Sequence, residues 1–424
     1  MNHPRPTLSW LVAALVLAST AHADPYEAAI HYTVKVRTAT PVPMIHDAGQ
    51  GGTGAGFLVD RARGWILTNA HVAGYGPSTV EVSFHGGEFH EARVRYIDPQ
   101  LDLAVLAVPT EAIPGGARVA PCACERTVRT GEDVIAFGHP WNLDYTATRG
   151  IVSGISTRWD KQWIQTDAPL NGGNSGGPLI SLDHGDVVGI NTASLGGDQV
   201  QNLNFAVPMR QVCPVLALLR NGRDPTPARL PFAVAVREHG DGGLVVARVP
   251  ARVNADVHPG DRILGIGGSR HAPNNLTELY RQLRGAGDRV PMTLERDGKR
   301  LQRKVRLIPG TPVLRRQALL VAGVLFGPAS SDLVRAEHGP RLMVHWVRGG
   351  TPGSIAGFQA YDLVEAANGR PVHTLDDLRT VLARAGDDGR LRIVVRRLAS
   401  DSSWWQYIEY VLPASPVQRI ARGG

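Results

Sequence analysis

Asn171-Gly172-Gly173-Asn174-Ser175-Gly176-Gly177-Pro178 is the stretch of this chain best suited to covalent chemistry. A serine hydroxyl is a weak nucleophile. It needs a base, a group that orients the base, and donors for the oxyanion that forms on attack. Glycines on both sides let the backbone turn so that neighbouring N–H groups converge. Thr68-Asn69-Ala70-His71-Val72-Ala73 follows the apolar run Gly64-Trp65-Ile66-Leu67 and offers a base in His71. Leu101-Asp102-Leu103-Ala104-Val105-Leu106 offers an orienter, because a carboxylate inside so apolar a run needs a partner. Asp98 precedes Pro99 and reads instead as a solvated turn. His85 and His90 lie in a hairpin without cysteine partners and read as surface histidines, so no metal site is expected.

The order His71, Asp102, Ser175, with the residues around each, resembles the chymotrypsin-like serine proteases. More narrowly it is similar to the HtrA (Deg) family, which joins such a protease to PDZ modules. Gln165-Thr166-Asp167-Ala168, Gly189-Ile190-Asn191-Thr192 and Asn204-Phe205-Ala206-Val207-Pro208 extend the likeness over nearly all of residues 28–210. The resemblance implies a triad in which Ser175 attacks a peptide carbonyl, His71 carries the proton and Asp102 orients the imidazole. It places the oxyanion at the backbone N–H groups of Gly173 and Ser175, with that of Asn174 nearby. Pro169, Leu170, Ile190, Asn191 and Thr192 are expected to border the first-subsite pocket. No Asp stands there to hold a basic side chain, so cleavage after Val, Ala or similar residues is expected. Asn174 cannot pair with a freed N-terminal ammonium as an Asp would, so activation by clipping is not expected. No cofactor is needed. The order of the triad and the Gly-Asn-Ser-Gly-Gly-Pro loop argue against an esterase of the α/β-hydrolase kind, which uses Gly-x-Ser-x-Gly.

The elements that must position these residues read as short strands. Glycine is abundant, at 48 of 424 residues, and aromatics are few, which suits strands joined by turns. Ala28–Thr38 reads as a first strand, 40–55 as a Pro/Gly loop, and a series of alternating runs follows up to Pro208. Gln211–Arg220 reads as a closing helix stopped by Asn221-Gly222. The expected fold is mainly β: a chymotrypsin-like double β-barrel protease domain followed by two PDZ-like α+β domains.

Beyond a linker at 223–228 the chain repeats. Pro259-Gly260-Asp261-Arg262-Ile263-Leu264-Gly265-Ile266 is echoed by Ala360-Tyr361-Asp362-Leu363-Val364-Glu365-Ala366-Ala367. Each copy enters an amphipathic helix, with Asn275/Glu278 and Thr374/Asp377 as caps, ended by Arg284–Gly287 and by 384–386. The order resembles PDZ domains, twice. That implies binding of hydrophobic C-terminal peptides by strand addition, with Gly323-Val324-Leu325-Phe326 similar to the carboxylate loop. Leu230-Pro231-Phe232 is the counterpart expected in the first copy. Ala360-Tyr361 departs from the usual Pro-Gly.

The domain reading is therefore a leader at 1–23, protease domain 24–222, first PDZ domain 223–310, second PDZ domain 311–414 and a tail 415–424. Arg5, the apolar run Leu8–Leu17 and Ala21-His22-Ala23 make a secretory signal peptide cut after Ala23, which implies a periplasmic enzyme. A net charge of +7 without a Lys/Arg run or interleaved aromatics reads as a diffusely basic surface, not a nucleic-acid site. Three cysteines leave one unpaired within a monomer; Cys122 or Cys124 could bridge to Cys213. Unfolded proteins are the expected substrates. Family likeness suggests a homotrimer through aromatics such as Tyr26 or Tyr32. The alternative reading is a PDZ-based holdase or scaffold with an idle protease domain.

Overall fold

The structure, a computed structural model, describes residues 24–47, 49–140, 143–157, 162–194, 203–237, 242–251, 253, 256–269, 271–329, 342–383, 389–399 and 404–422. The expected leader and the 384–386 helix stop lie outside these. The chain opens with a short helix, α1 (Pro25–Ile30), capped by the Asp24 carboxylate on Tyr26 N–H. The first strand begins only at Thr33, because Pro25 at the first helical turn and the Asp24 cap favour helix over the alternation read from Ala28.

Seven strands follow: β1 (Thr33–Ala39), β2 (Gly51–Asp60), β3 (Trp65–Thr68), β4 (Thr79–Ser83), β5 (Phe89–Glu91), β6 (Arg93–Asp98) and β7 (Leu103–Ala107). Their order is β5-β4-β1-β2-β3-β7-β6. β5 and β6 are separated only by Ala92, whose N–H reaches Val80 O at 2.8 Å. One bent stretch thus pairs with β4 at one end and β7 at the other, and chain continuity closes this first barrel. β2 already begins at Gly51, inside the stretch read as loop. The one-turn helix α2 (Ala70–Ala73) leaves β3 and carries His71.

The second barrel closes by hydrogen bonds throughout, in the order β10-β13-β12-β11-β8-β9. Its strands are β8 (Asp133–Gly138), β9 (Thr146–Ser156), β10 (Trp163–Thr166), β11 (Pro178–Ser181), β12 (Val187–Ser194) and β13 (Asn204–Pro208). Phe57 and Leu67 of the first barrel share one core with Phe137, Ile190 and Phe205 of the second. That common core fixes the two barrels against each other along the line where the three candidate residues meet. Helix α3 (Met209–Arg220) packs Val212, Val215 and Leu216 into it. Cys124 is bridged to Cys213 of this helix, which tethers it to the connector between barrels. Cys122 stays a thiol, and burial pushes its pKa up to about 12, so it is inert at neutral pH.

The third sheet runs β14 (Ala233–Val236), β15 (Leu244–Arg248), β16 (Arg262–Ile266), β17 (Arg289–Arg296) and β18 (Lys299–Arg306), with α4 (Leu276–Leu283) burying Leu279 and Leu283 against it. Asn275 caps α4 as expected, accepting from Glu278 N–H. Among the described residues β14 pairs with β15 alone, and its side chains are largely exposed. Arg284, at the end of α4, forms an ion pair with Asp98, and both side chains are buried. Asp98 also accepts from Tyr96 Oη and from the N–H groups of Gln100 and Leu101. The solvated-turn reading of Asp98 is therefore corrected: a cation from a distant domain, invisible in local sequence, supplies the partner that burial demands.

The fourth sheet has eight strands: β19 (Gln317–Val321), β20 (Val324–Pro328), β21 (Leu342–Val347), β22 (Leu363–Ala367), β23 (Arg370–Pro371), β24 (Arg390–Leu398), β25 (Trp405–Pro413) and β26 (Gln418–Ala421). Helices α5 (Pro352–Ala356) and α6 (Leu375–Leu382) belong to it, α6 with the full Thr374/Asp377 capping box. Two expectations change here. The 415–424 tail contains β26, which pairs with β19 in the register Ala318↔Ile420. The edge expected from Gly323-Val324-Leu325-Phe326 is also taken. β20 is bonded to β21 on one side and to β19 on the other, with Leu320 opposite Leu325, and Val324, Leu325 and Phe326 are fully buried. The tight turn at Ala322-Gly323, with Gly323 at φ +85°, folds the chain's own strand into the place a peptide would take.

This last sheet lies on the first barrel. Val313, Ala318, Leu320, Leu325 and Ile420 join the core of Val36, Val72 and Tyr75. His345 accepts from Ile45 N–H at Nδ1, and its Nε2 faces Pro328 O at 3.0 Å. Burial lowers its pKa to about 4, so the ring is neutral at this junction.

Candidate active site

His71 lies on α2, and its Nδ1 is 2.8 Å from Asp102 Oδ2. Its backbone N–H donates to Asp102 Oδ1 at 3.1 Å, so the carboxylate grips both ring and main chain. The Asp102 carbonyl accepts from Ala70 N–H and from the Asn69 side chain. Asp102 itself sits at φ +50°, a left-handed conformation that aspartate tolerates better than most residues. Burial alone would lower the His71 pKa; the charge of Asp102 and its hydrogen bond outweigh it and raise the pKa above the ordinary value.

Thr192 completes the carboxylate's shell. Its Oγ1 donates to Asp102 Oδ2 at 2.5 Å, while its carbonyl accepts from Ser175 Oγ at 3.1 Å. One residue of β12 therefore touches both ends of the triad, and Ser175 Oγ lies within hydrogen-bonding distance of Thr192 O. Expected as a pocket residue, Thr192 is a positioning residue. Ile190 and Asn191, also expected in the pocket, have buried side chains. Ile190 is in the barrel core, and Asn191 is buried with its side-chain amide on Pro178 O. Adjacent residues of a strand point to opposite faces, and both faces of β12 are covered here, so both side chains are buried. Of the five residues expected there, Pro169 and Leu170 keep accessible side chains.

The serine loop is pinned by its main chain. Ser175 O accepts from Ala55 N–H, Gly176 N–H donates to Asn191 O, and Gly177 N–H donates to Asn174 O. Asn174 N–H is spent on Asn171 O at 3.0 Å, which removes it from the expected oxyanion set. The N–H groups of Gly173 and Ser175 donate to no atom among the described residues, and these two remain for an oxyanion. The Asn174 side chain is buried, where an uncompensated aspartate would be costly.

Gly173 has φ +106°, and a Cβ there would lie 2.1 Å from His139 O. His139 N–H in turn donates to Gly173 O at 3.1 Å. Gly173→Ala should therefore displace the loop and cost about 10²–10³ in kcat, the loss typical of one oxyanion donor. Steady-state kinetics with an unchanged melting temperature would check this.

His71, Gly173 and Ser175 open onto a cleft of about 190 Å³, also lined by Thr40, Asp47, Gly51–Thr53, Gly74 and Gly172. No cluster of His, Cys, Asp or Glu suited to a metal ion occurs among the described residues. The arrangement can do acyl transfer: a nucleophile, a base held in one tautomer, and two free N–H donors beside them.

Comparison with known proteins finds peptidase and PDZ relatives. The trypsin-like peptidase domain model matches residues 54–190, and the PDZ domain model matches residues 343–397. The chain is 30% identical over 353 residues to the periplasmic pH-dependent serine endoprotease DegQ of Escherichia coli (strain K12), covering 78% of this chain and 76% of that one. It is 26% identical over 363 residues to the periplasmic serine endoprotease DegP of the same organism, covering 79% and 75%. Among solved structures, a serine endoprotease from Yersinia pestis is similar at 27% identity with a TM-score of 0.50, over 67% of this chain and 96% of that one. An HtrA-type protease AlgW with a tripeptide is similar at 25% identity with a TM-score of 0.53, over 68% and 97%.

Proposed function

From the premise that the chain belongs to the HtrA (Deg) family of serine endoproteases, we propose that it cleaves unfolded proteins in the periplasm through Ser175, His71 and Asp102. The observation that carries this reading is the Asp102 carboxylate, held by Thr192 Oγ1 and by both N–H groups of His71. With Nδ1 occupied, His71 turns Nε2 toward the cleft as the acceptor. Ser175 Oγ leaves Thr192 O, gives its proton to Nε2 and bonds to the carbonyl carbon of the scissile peptide. The oxygen charge that develops faces Gly173 and Ser175 N–H. The imidazolium then protonates the leaving amine, and water repeats the cycle on the acyl-enzyme.

The periplasmic names of the relatives, together with the leader read at 1–23, support an envelope location. A preference for small aliphatic residues rests on Pro169 and Leu170. The residues 223–310 read as a first PDZ-like domain from the repeat and from the five-stranded sheet. Its edge strand β14 has, unlike β20, a single strand partner among the described residues, so this domain is the better receptor for hydrophobic C-terminal peptides. Tyr32 is in the core, which leaves exposed Tyr26 as the aromatic for a trimer contact. The hydroxyl of Ser175, turned to Thr192 O, supports a protease that rests between substrates.

The test is degradation of native and heat-unfolded substrate protein, with and without a fluorophosphonate. Faster loss of the unfolded form, stopped by an adduct that mass spectrometry places on Ser175, is the expected result. No cleavage and no adduct, even with a hydrophobic C-terminal peptide present, would favour a holdase.

A further inference from the structure

The last described strand reaches the catalytic histidine's loop. β26 lies against β19, with Ile420 buried in the core that also holds Val72, Ala73 and Tyr75. One residue past this strand, Arg422 Nη1 donates to Gly74 O at 2.5 Å and Nη2 to Ala73 O at 3.0 Å. These are carbonyls at the end of α2, where the helix has no further turn to bond them. The same loop is held from its other side by Asp47, whose carboxylate accepts from Tyr75 N–H at 2.5 Å, Gly76 N–H at 3.0 Å and Met44 N–H at 2.7 Å. Carbonyls on the guanidinium and amides on the carboxylate fix the segment Ala73–Gly76 at both polar faces.

The position of α2 decides the aim of His71. The helix is four residues long, too short to hold itself, and its Gly74 stop at φ +79° borders the catalytic cleft. We propose that Arg422 is a positioning residue for His71: β26 delivers its guanidinium to the Ala73 and Gly74 carbonyls and so ties the docked last domain to the alignment of the triad. This rests on the reading of His71 as the general base. Arginine suits the task because its planar fork meets two acceptors at once, whereas lysine offers one point charge. Burial lowers the Arg422 pKa to about 10, partly offset by the charge of Asp47, so the group is a cation at neutral pH.

The test compares Arg422→Met, which keeps the stem and loses every donor, with Arg422→Lys in the full chain. A small fluorophosphonate labels Ser175 only when the base is aligned, and it needs no peptide-binding domain. Expected for Arg422→Met is labelling and kcat slowed roughly tenfold to a hundredfold, as for a misplaced catalytic group, with KM within about twofold. Arg422→Lys should fall between that and the wild type. Hydrogen exchange at Gly74, Tyr75 and Gly76 in a Ser175→Ala background reads the same clamp without activity, and Arg422→Met should speed it locally. Wild-type labelling, kcat and exchange in Arg422→Met would overturn the proposal, as would faster labelling. If the wild type takes no label, the protease reading has failed, and exchange alone decides whether Arg422 holds the loop.

Discussion

Ser175→Ala and His71→Ala are each expected to cut kcat by about a millionfold, and the double variant by no more than either alone, as in other enzymes whose triad acts as one unit. The geometry explains why the losses should not add. In the proposed triad the acceptor for the Ser175 Oγ proton is His71; the Thr192 carbonyl bonded to that oxygen cannot take its proton. His71 without Ser175 has nothing to deprotonate. What remains in either variant is the binding cleft and the free N–H groups of Gly173 and Ser175, which still stabilise an oxyanion made by attacking water. Active-site titration of the wild type, then single and double variants on one unfolded substrate, checks this. Additive losses would mean that the serine and histidine work in separate steps.

The triad was legible because its chemistry forces local sequence. A nucleophile loop needs glycines where a Cβ would lie 2.1 Å from a neighbouring carbonyl oxygen, as at Gly173 and Gly177, and no other residue fits there. The repeats showed for a similar reason: Asp261 and Asp362 are buried, each paired with an arginine of its own sheet, Arg296 and Arg397, in corresponding places. What could not be read depends on partners far along the chain. Asp98 looks like a turn residue until Arg284 arrives from another domain. Thr192 lies 90 positions from Asp102, and nothing in Asn191-Thr192 announces that its hydroxyl faces a carboxylate. Arg422 is 348 positions from Gly74, at the end of a stretch with no motif. Long-range pairing leaves no periodicity, so β19 filling the edge of β20 is equally hidden, although the loop between them carries a sequence signature.

Asp102→Asn should lower kcat/KM about 10⁴-fold at neutral pH while leaving the fold intact. The backbone should not resist, because asparagine also tolerates φ +50°. The difficulty is that every group facing this side chain donates. His71 N–H points at Oδ1, while His71 Nδ1 and Thr192 Oγ1 point at Oδ2. An amide set with its NH₂ toward His71 N–H opposes donor to donor and pushes α2 away. Set the other way, its NH₂ faces Nδ1 and forces the imidazole to carry its proton on Nε2, where it cannot accept from Ser175. Either setting disables the base. The pH profile separates this from general damage. His71 must be neutral to act, so wild-type kcat/KM should fall as pH drops through a His71 pKa raised above its ordinary value. Without the carboxylate, burial alone remains, and it favours the neutral ring, so the acid limb of the residual activity should move to lower pH. An acid limb unmoved in Asp102→Asn would show that Asp102 does not set the protonation of His71, and the proton would have to be carried by another group in the cleft.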